Sequence, residues 1–327
     1  MAGSALLFVA IPALVLGWKW QSERHFLKSY HTPDWSEAHI KNQMDYVLTS
    51  HEANDVIFVG DSTTSGGIQT ELFEERTDSR AYNLGLPGFV GIDSSLRLVE
   101  IFLEQHPAPK LIVYAAHPKD YGLVEPAWGD IRPRFAWSYG VWSGGQPFEP
   151  AFSPIYYVRE GLRIAAGELR GGESHYFGEA VRDWKQRVLR QRGFYENPGV
   201  LPEEARLRPA PIATYAVSPW YAKHLHALAR MTLERGIPLM IQPTPAMSRA
   251  KQEDASALFE WLLKFKDSYP HVSIGDRELQ LYEFSDFSGD ALHMNISGAR
   301  RFTTFLADRV KTLYPGIAGP AMSGARN

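Results

Sequence analysis

The sequence predicts an α/β fold with a doubly wound, parallel sheet of five strands. Short apolar segments of strand length recur along the chain, and segments with helical periodicity lie between them. The length of 327 residues and the hydrophobic content of 44% suit one large folded domain. Because strands joined by crossover helices lie parallel, their carboxyl ends share one edge of the sheet, and we expect ligands to bind at that edge.

Five apolar segments are the predicted strands. The first, residues 56–59, is apolar at every position and is followed by Gly60, as is typical of a strand buried on both faces. The other segments are residues 81–84, 111–114, 239–241 and 272–274. The residues directly after each segment are therefore the first candidates for function.

Helical periodicity predicts helices between the strands. They are expected around residues 35–47, after Asp93, from Ser218 to Gly236, over residues 255–266 and from Ser297 onwards. Ser218 followed by proline suits a helix start, and Gly236 suits a helix end. The expected buried faces are Leu96, Val99 and Leu103 in the second helix, and Phe302, Phe305, Leu306, Val310 and Leu313 in the last.

The N-terminus predicts an uncleaved membrane anchor over residues 1–20. Residues 1–18 carry no charge, and this run is long enough for a short spanning helix. Trp18, Lys19 and Trp20 suit a membrane–water boundary. No small-residue cleavage site follows the run. A buried core helix is the alternative interpretation.

The charges around this anchor disagree with its expected orientation. No Lys or Arg precedes the run, whereas Lys19, Arg24 and Lys28 follow it. The positive-inside rule therefore places the body of the protein in the cytoplasm. The chemistry indicated by the rest of the chain instead favours the extracytoplasmic side.

The chain is expected to contain an anchor (residues 1–20), a linker with a helix (21–54), a catalytic domain (55–315) and a tail (316–327). Residues 122–215 are rich in Trp, Pro, Gly and Arg and interrupt the alternation of strands and helices, which predicts a long insertion. A helix expected over residues 179–190 carries the basic side chains Arg182, Lys185, Arg187 and Arg190. They form either a solvated face or a contact for anionic lipid or an acidic glycan.

Composition excludes several kinds of function. The chain has no cysteine, which excludes disulfides, thiolate metal sites and a cysteine nucleophile. The net charge of −3 gives no general affinity for polyanions, so nucleic acid is not an expected partner.

A candidate nucleophile follows the first strand, in Gly60-Asp61-Ser62. A serine on a strand-to-helix turn exposes its hydroxyl near a helix N-terminus, which favours negative charge. A phosphate-binding or merely capping turn is the alternative. Gly66-Gly67 is compatible with that alternative, but the lysine of a P-loop is missing.

A candidate base and its carboxylate lie just before the last helix, in Asp290-Ala-Leu-His293. Histidine can accept the proton of Ser62, and Asp290 can orient the imidazole ring and stabilise its charged form. A purely structural Asp–His pair is the alternative. The position after the last strand favours catalysis, because it lies on the same sheet edge as Ser62.

The oxyanion of acyl-transfer chemistry needs hydrogen-bond donors. The backbone N–H groups of Ser62 and Gly85 are candidates, because glycine lets the backbone approach a substrate closely. A plain turn after the second strand is the alternative role for Gly85.

Together these motifs resemble the SGNH/GDSL hydrolase superfamily. Gly60-Asp61-Ser62, Gly85 and Asp290-x-x-His293 stand in its order and spacing, and the resemblance covers residues 55–121 and 216–314. It implies a flavodoxin-like fold, Ser–His–Asp catalysis of ester or acyl-transfer chemistry, and neither a metal nor an organic cofactor. Asp61 is expected at the site with Gly85.

One block departs from that family. After the third strand the family has Gly-x-Asn-Asp, whose asparagine donates to the oxyanion, whereas this chain has Ala115-Ala-His-Pro-Lys-Asp-Tyr121. His117 stands where the asparagine would be, and an imidazole N–H could take over its role. A structural histidine is the equal alternative.

The anchor and the insertion resemble a subgroup, the anchored SGNH-like proteins that work beside membrane-bound O-acyltransferases. The early serine and late Asp-x-x-His match the D-alanyl-transfer protein of teichoic acid modification. The alginate acetylation proteins share the chemistry and are a looser resemblance, because their Asp-His element precedes the serine. This resemblance implies a serine O-acyltransferase, acting with O-acetyl groups on an extracytoplasmic polysaccharide or cell-envelope glycan. The implied partners are a membrane-bound O-acyltransferase, the glycan acceptor and the lipid bilayer.

Two other functions fit the same sequence. A carbohydrate or lipid esterase would use the same residues with water as the acceptor. A catalytically silent glycan-binding scaffold would keep only the fold, and the altered asparagine block is its support. Trp128, Trp137 and Trp142 of the insertion could form a platform for sugar rings, although core packing is the alternative for them.

Overall fold

The computed structural model describes residues 35–124, 187–197, 199, 215–289 and 292–317. The chain divides into two compact units, Met1–Lys41 with Trp128–Gln186, and Asn42–Ala127 with Arg187–Asn327. All strands of the described residues belong to the second unit. The predicted anchor over residues 1–20 and most of the predicted insertion lie outside the described residues. Within the described ranges, no helix has the length and apolar character needed to cross a bilayer.

The strands of the described residues are β1 (Val56–Gly60), β2 (Ala81–Asn83), β3 (Leu111–Ala116), β4 (Leu239–Pro243), β5 (Ala246–Met247), β6 (Val272–Ile274) and β7 (Leu281–Tyr282). Five of them form one sheet in the order β2-β1-β3-β4-β6, and every neighbouring pair is parallel. The predicted parallel sheet of five strands is therefore confirmed. Its strand order places the topological switch point between β1 and β3.

The strands are buried because helices cover both faces of the sheet. Every residue of β1, β3 and β4 is buried, as expected for apolar segments without alternation. The short parallel pair of β5 and β7 was not predicted. Two residues are too few to show a period in the sequence.

The helices with defined bounds are α1 (Trp35–Thr49), α2 (Ser62–Gly67), α3 (Thr70–Thr77), α4 (Gly91–Gln105), α5 (Pro219–Glu234), α6 (Ser256–Asp267) and α7 (Ile296–Leu313). Ser218 caps α5 as predicted, since its side chain accepts from the N–H of Tyr221. Gly236 follows the end of α5 with a φ of +66°, where glycine is favoured. Helix α3 was not predicted, because it is short and mostly polar.

The two faces of the sheet pack against different helices. On one face, Phe58 of β1 and Val113 of β3 belong to one apolar cluster with Phe302 and Leu306 of α7. On the other face, the hydroxyl group of Tyr114 in β3 is hydrogen-bonded to that of Tyr221 in α5. The sheet is thus doubly wound, and the carboxyl edge of its strands lies between the two helical layers.

The predicted buried faces of α4 and α7 were partly wrong. In α4, Val99 is buried as predicted, but Leu96 and Leu103 are half-buried. Leu98 and Phe102 are fully buried beside Val99. In α7, Phe302, Leu306 and Val310 are buried, Phe305 is half-buried and Leu313 is exposed. Apolar residues on the flanks of a helix extend the sequence pattern beyond the face that meets the sheet.

Two leucines of α7 test this assignment. Leu306 is 0% exposed and Leu313 is 40% exposed. We expect Leu306→Ala to lower the free energy of unfolding by about 2–5 kcal/mol, because it removes buried methyl groups and leaves a cavity. The same change at Leu313 should cost less than about 1 kcal/mol. Urea unfolding of the full chain measures both values, and equal losses would contradict the packing of α7.

Candidate active site

The site begins at a very close contact between β1 and β3. Gly60 has a φ of +155°, and a Cβ built on it would lie 1.5 Å from the carbonyl oxygen of Ala115. The hydroxyl of Thr64 donates a hydrogen bond to that same oxygen. Only glycine fits at position 60, so the chain turns sharply there and enters α2 at once.

Asp61 fixes the turn that carries Ser62. As N-cap of α2, its Oδ1 accepts hydrogen bonds from the N–H groups of Thr63 at 2.8 Å and Thr64 at 3.3 Å. The hydroxyl of Thr63 donates to the same oxygen at 2.5 Å. Ser62 is thereby held as the first residue of α2, half-buried at the carboxyl edge of the sheet.

The second oxygen of Asp61 reaches the end of β3. Its Oδ2 accepts a hydrogen bond of 2.7 Å from the backbone N–H of His117. Asp61 is only 7% exposed, so little water competes for these bonds. The sequence placed Asp61 at the site, and the structure shows it joining the serine turn to the histidine block.

The loop before α7 carries His293 and is held by Asn295. The partners of the Asn295 side chain are the N–H groups of Ser297 and Gly298 and the carbonyl groups of Ser285 and Phe287. The backbone oxygen of His293 accepts from the N–H of Ser288 at 2.8 Å. These bonds cap α7 and fix the path of the loop, which sets the position of the imidazole ring.

Ser62 and His293 meet at this edge of the sheet. The Oγ of Ser62 and the Nε2 of His293 are 2.7 Å apart, a hydrogen-bond distance, although the residues are 231 positions apart in the sequence. A serine and an imidazole in this relation can exchange a proton, which is the requirement for an activated nucleophile. Asp290, the predicted third member, lies outside the described residues, and its role stays a prediction.

His117 is buried and uncharged at neutral pH. Its burial lowers its pKa from 6.5 to about 4. The charge of Asp61 opposes this change, and the neighbouring Lys119 and His293 act in the same direction as burial. The Nδ1 atom accepts a hydrogen bond of 3.2 Å from the N–H of Lys119. A neutral ring whose Nδ1 accepts must carry its proton on Nε2. The imidazole can therefore act as a donor, as the predicted oxyanion role requires.

Gly88 borders the serine hydroxyl, whereas Gly85 packs against the serine turn. A Cβ at Gly85 would lie 2.5 Å from the backbone nitrogen of Ser65, and the Gly85 N–H donates to the Oδ1 of Asn83 at 3.0 Å. A Cβ at Gly88 would point towards the Oγ of Ser62, at 3.9 Å. The oxyanion role of Gly85 stays a prediction. Gly88 was missed, although two glycines three residues apart after a strand are a visible signal.

Asp120 is a second acid at this edge of the sheet, and it was not predicted from the sequence. Its side chain lines the same small cavity as that of Asp61 and is 7% exposed. Burial, followed by the negative charge of Asp61, raises the pKa of Asp120 to about 9. Its position after the third strand was a visible signal. In that block, however, the comparison with the family's Gly-x-Asn-Asp gave the functional role to His117.

Residues 193–197 and 199 lie beside helix α2, which begins with Ser62, and beside the loop that leads to His293. The N–H of Tyr195 donates to the carbonyl of Ser65 in α2 at 2.8 Å. A Cβ built on Gly199 would lie 3.6 Å from the nitrogen of Gly289, in the loop that leads to His293. These residues belong to the predicted insertion, and no pattern in the sequence indicated that the insertion returns to the site.

Within the described ranges, no group of three or more His, Asp or Glu side chains is arranged to hold a metal ion.

Comparisons with known proteins do not assign the chain to a family. Neither a protein-family model nor a curated protein matches the sequence. Among solved structures, the chain is similar to a Streptococcus pneumoniae protein provisionally described as a platelet activating factor. The two are 13% identical with a TM-score of 0.37, and the match covers 85% of this chain and 92% of the other. A likeness at this level says nothing about function, which must be inferred from the geometry of the site.

The lowered pKa of His117 predicts a loss of stability in acid. Between its ordinary pKa of 6.5 and its folded value of about 4, the unfolded chain binds a proton that the folded chain does not. The contribution of His117 to the free energy of unfolding is therefore full above pH 6.5 and falls as the pH decreases towards 4. From pH 7.5 to pH 5 this group should remove about 2 kcal/mol.

The variant His117→Asn isolates this effect. Asparagine does not titrate, and its side-chain oxygen can accept from the N–H of Lys119 as Nδ1 does. Urea unfolding of both proteins at the two pH values should show a smaller loss in the variant. Equal losses would mean that His117 is not held neutral in the folded chain.

Proposed function

We propose that the chain is a serine O-acyltransferase that works through an acyl-serine intermediate on Ser62. The distance of 2.7 Å between the Oγ of Ser62 and the Nε2 of His293 is the observation that carries the proposal. The pair lies at the carboxyl edge of a parallel sheet, where ligands bind in doubly wound folds. The SGNH/GDSL-like order of the motifs in the sequence supports the same chemistry.

In the first step, the Oγ of Ser62 attacks the carbonyl carbon of an acyl donor. The Ser62 proton passes to the Nε2 of His293, which must be unprotonated beforehand. The negative charge moves to the carbonyl oxygen. When the bond to the leaving group breaks, the proton passes from His293 to that group, and an ester of Ser62 remains.

The second step repeats the first with a different nucleophile. An acceptor hydroxyl gives its proton to the Nε2 of His293 and attacks the acyl carbon. The bond to Ser62 breaks, and His293 returns the proton to the Oγ. With a sugar hydroxyl the product is an O-acyl glycan, and with water it is a free acid.

The developing oxyanion needs fixed donors in both steps. The Ser62 N–H and the Nε2–H of His117 are the proposed donors, and the predicted Gly85 N–H could join them only by leaving the Oδ1 of Asn83. The neutral state of His117 supports its role, because a proton stays on Nε2 without adding a buried charge. Gly88 leaves room beside the Ser62 hydroxyl for the reacting carbonyl.

The acceptor and the partner are proposed from the sequence. The apolar N-terminus suits an anchor in the bilayer, and the order of the motifs suits a protein that works with a membrane-bound O-acyltransferase. We therefore propose an acetyl group as the acyl group and an extracytoplasmic cell-envelope glycan as the acceptor. The aromatic residues of the predicted insertion support binding of sugar rings.

The nucleophile can be tested by intact-mass analysis. After incubation of the full chain in detergent with p-nitrophenyl acetate, we expect one added acetyl group, because the ester supplies an activated acyl donor. Ser62→Ala should show no adduct. His293→Ala should form it about 10²–10⁴-fold more slowly, since the base is lost.

A matched control is Ser256→Ala, which removes an exposed serine hydroxyl from the start of α6. It should acylate as the native protein does. An adduct that persists in Ser62→Ala with unchanged rate would exclude Ser62 as the nucleophile.

Transfer and hydrolysis differ in the fate of the acyl group. With maltotriose or chitotriose added, a transferase should yield acetylated sugar and lose the Ser62 adduct faster than in buffer alone. The products can be quantified by mass spectrometry. Loss of the adduct at the same rate with and without sugar, giving only acetate, would favour an esterase.

A further inference from the structure

Two buried carboxyl groups are neighbours beside Ser62. Asp61 and Asp120 are each 7% exposed, and both line one small cavity. A Cβ built on Gly88 would lie 2.9 Å from the Oδ2 of Asp120 and 3.7 Å from the Cβ of Asp61, so both side chains border the same glycine. Two adjacent buried carboxylates repel each other strongly when both are ionised, so one of the two holds a proton.

The hydrogen bonds of Asp61 show which residue carries the proton. Its Oδ1 accepts from the N–H groups of Thr63 and Thr64, and its Oδ2 accepts from the N–H of His117. Several donors converging on one carboxylate favour its ionised form. Asp120 is then the partner that holds the proton and donates it.

Asp120 also touches a third part of the site. A Cβ built on Gly88 would lie 2.9 Å from the Oδ2 of Asp120. A small cavity with a volume of 10 Å³, about the room for one water molecule, is lined by Asp61, Asp120, Gly88 and Tyr114. Asp120 thus lies where the turn after β1, the turn after β2 and the block after β3 converge.

We propose, on the basis of the proposed function, that Asp120 is a positioning residue for Ser62. As a neutral acid it donates a hydrogen bond to Asp61, and this bond fixes the Ser62 turn against the His117 block and the Gly88 turn. Asp120 touches no reacting atom. It acts through Asp61, whose remaining hydrogen bonds set the direction of the Ser62 hydroxyl towards His293.

The bond depends on pH through the groups that surround it. The titratable groups that interact with the pair are Tyr114, Tyr121, Tyr221, His117 and Lys119, and His293 interacts with the pair's neighbour His117. Burial and the charge of Asp61 raise the pKa of Asp120 to about 9, and the charge of Lys119 opposes this only in part. Asp120 is therefore protonated at pH 7, and it loses its proton as the pH rises through 9. The repulsion between two carboxylates then opens the turn, and acylation of Ser62 declines.

The decisive variant is Asp120→Asn. Its side-chain N–H can donate to Asp61 at any pH, so it should keep most of the native rate of Ser62 acetylation at pH 7 and should not show the alkaline decline. Asp120→Ala removes the donor and should lower the rate at least about tenfold at pH 7, as expected when a catalytic group is misplaced. Asp308→Asn changes a distant, exposed acid of α7 and should follow the native profile.

Rates are measured on the full chain as the p-nitrophenyl acetate adduct counted by mass, with the value for Ser62→Ala subtracted at each pH. An Asp120→Asn profile with the native alkaline decline would overturn the proposal. So would a loss of rate as large as in Asp120→Ala while the urea unfolding transition of Asp120→Asn remains native-like.

A second readout is independent of acyl transfer. At pH 7 the native protein should show the infrared carbonyl band of a protonated carboxylic acid, and this band should be missing from Asp120→Asn. Absence of the band in the native protein would overturn the proposal whatever its activity. If the band is present but no adduct forms on the native protein, the proposed function fails.

The pH dependence of unfolding then decides whether the bond holds the turn. Between pH 5 and pH 8 the contribution of Asp120 to stability should fall with rising pH, because folded Asp120 holds a proton that the unfolded chain releases, whereas His117 contributes in the opposite direction in both proteins. The native free energy of unfolding minus that of Asp120→Asn should therefore fall across this window. Equal slopes would overturn the proposal.

Discussion

The approach of β1 to β3 at Gly60 is the constraint on which the rest of the site depends. With no side chain at this position, the backbone of β1 lies directly against the carbonyl of Ala115, and Thr64 can hydrogen-bond to the same oxygen. The chain must leave the sheet at that point, so Asp61 becomes the cap of α2 and Ser62 its first, half-buried residue. A larger residue at position 60 would move Ser62, the cap and the hydrogen bond between Asp61 and His117 together.

Much of the fold could be predicted because buried parallel strands leave a plain signal. Continuous apolar runs such as residues 56–59 and 111–114 have few other uses between helical segments, and parallel pairing follows from the alternation. What the sequence could not give was the rotation of each helix. In α4, Leu96 and Leu103 satisfy the helical period as well as Leu98 and Phe102 do, and only the packed sheet distinguishes them.

The candidate site was likewise predicted only in part from the sequence. Ser62 and His293 were predicted because each follows a strand or precedes a helix at one edge, and the structure brings them to hydrogen-bond distance. Asp120 also follows a strand but was not predicted, because the role proposed for it depends on its position beside Asp61 and not on a motif. The meaning of Gly85 and Gly88 likewise depended on which backbone atoms each approaches.

The entry and the exit of the predicted insertion are joined to each other. The N–H of Ser218 donates to the carbonyl of Tyr121 at 2.9 Å, and the hydroxyl of Ser218 donates to the carbonyl of Leu123. Because these bonds fix both ends of the insertion, residues 125–186 can change in length or composition without shifting the register of β3 or β4. Evolution can thus vary those residues while the strands that position Ser62 keep their pairing.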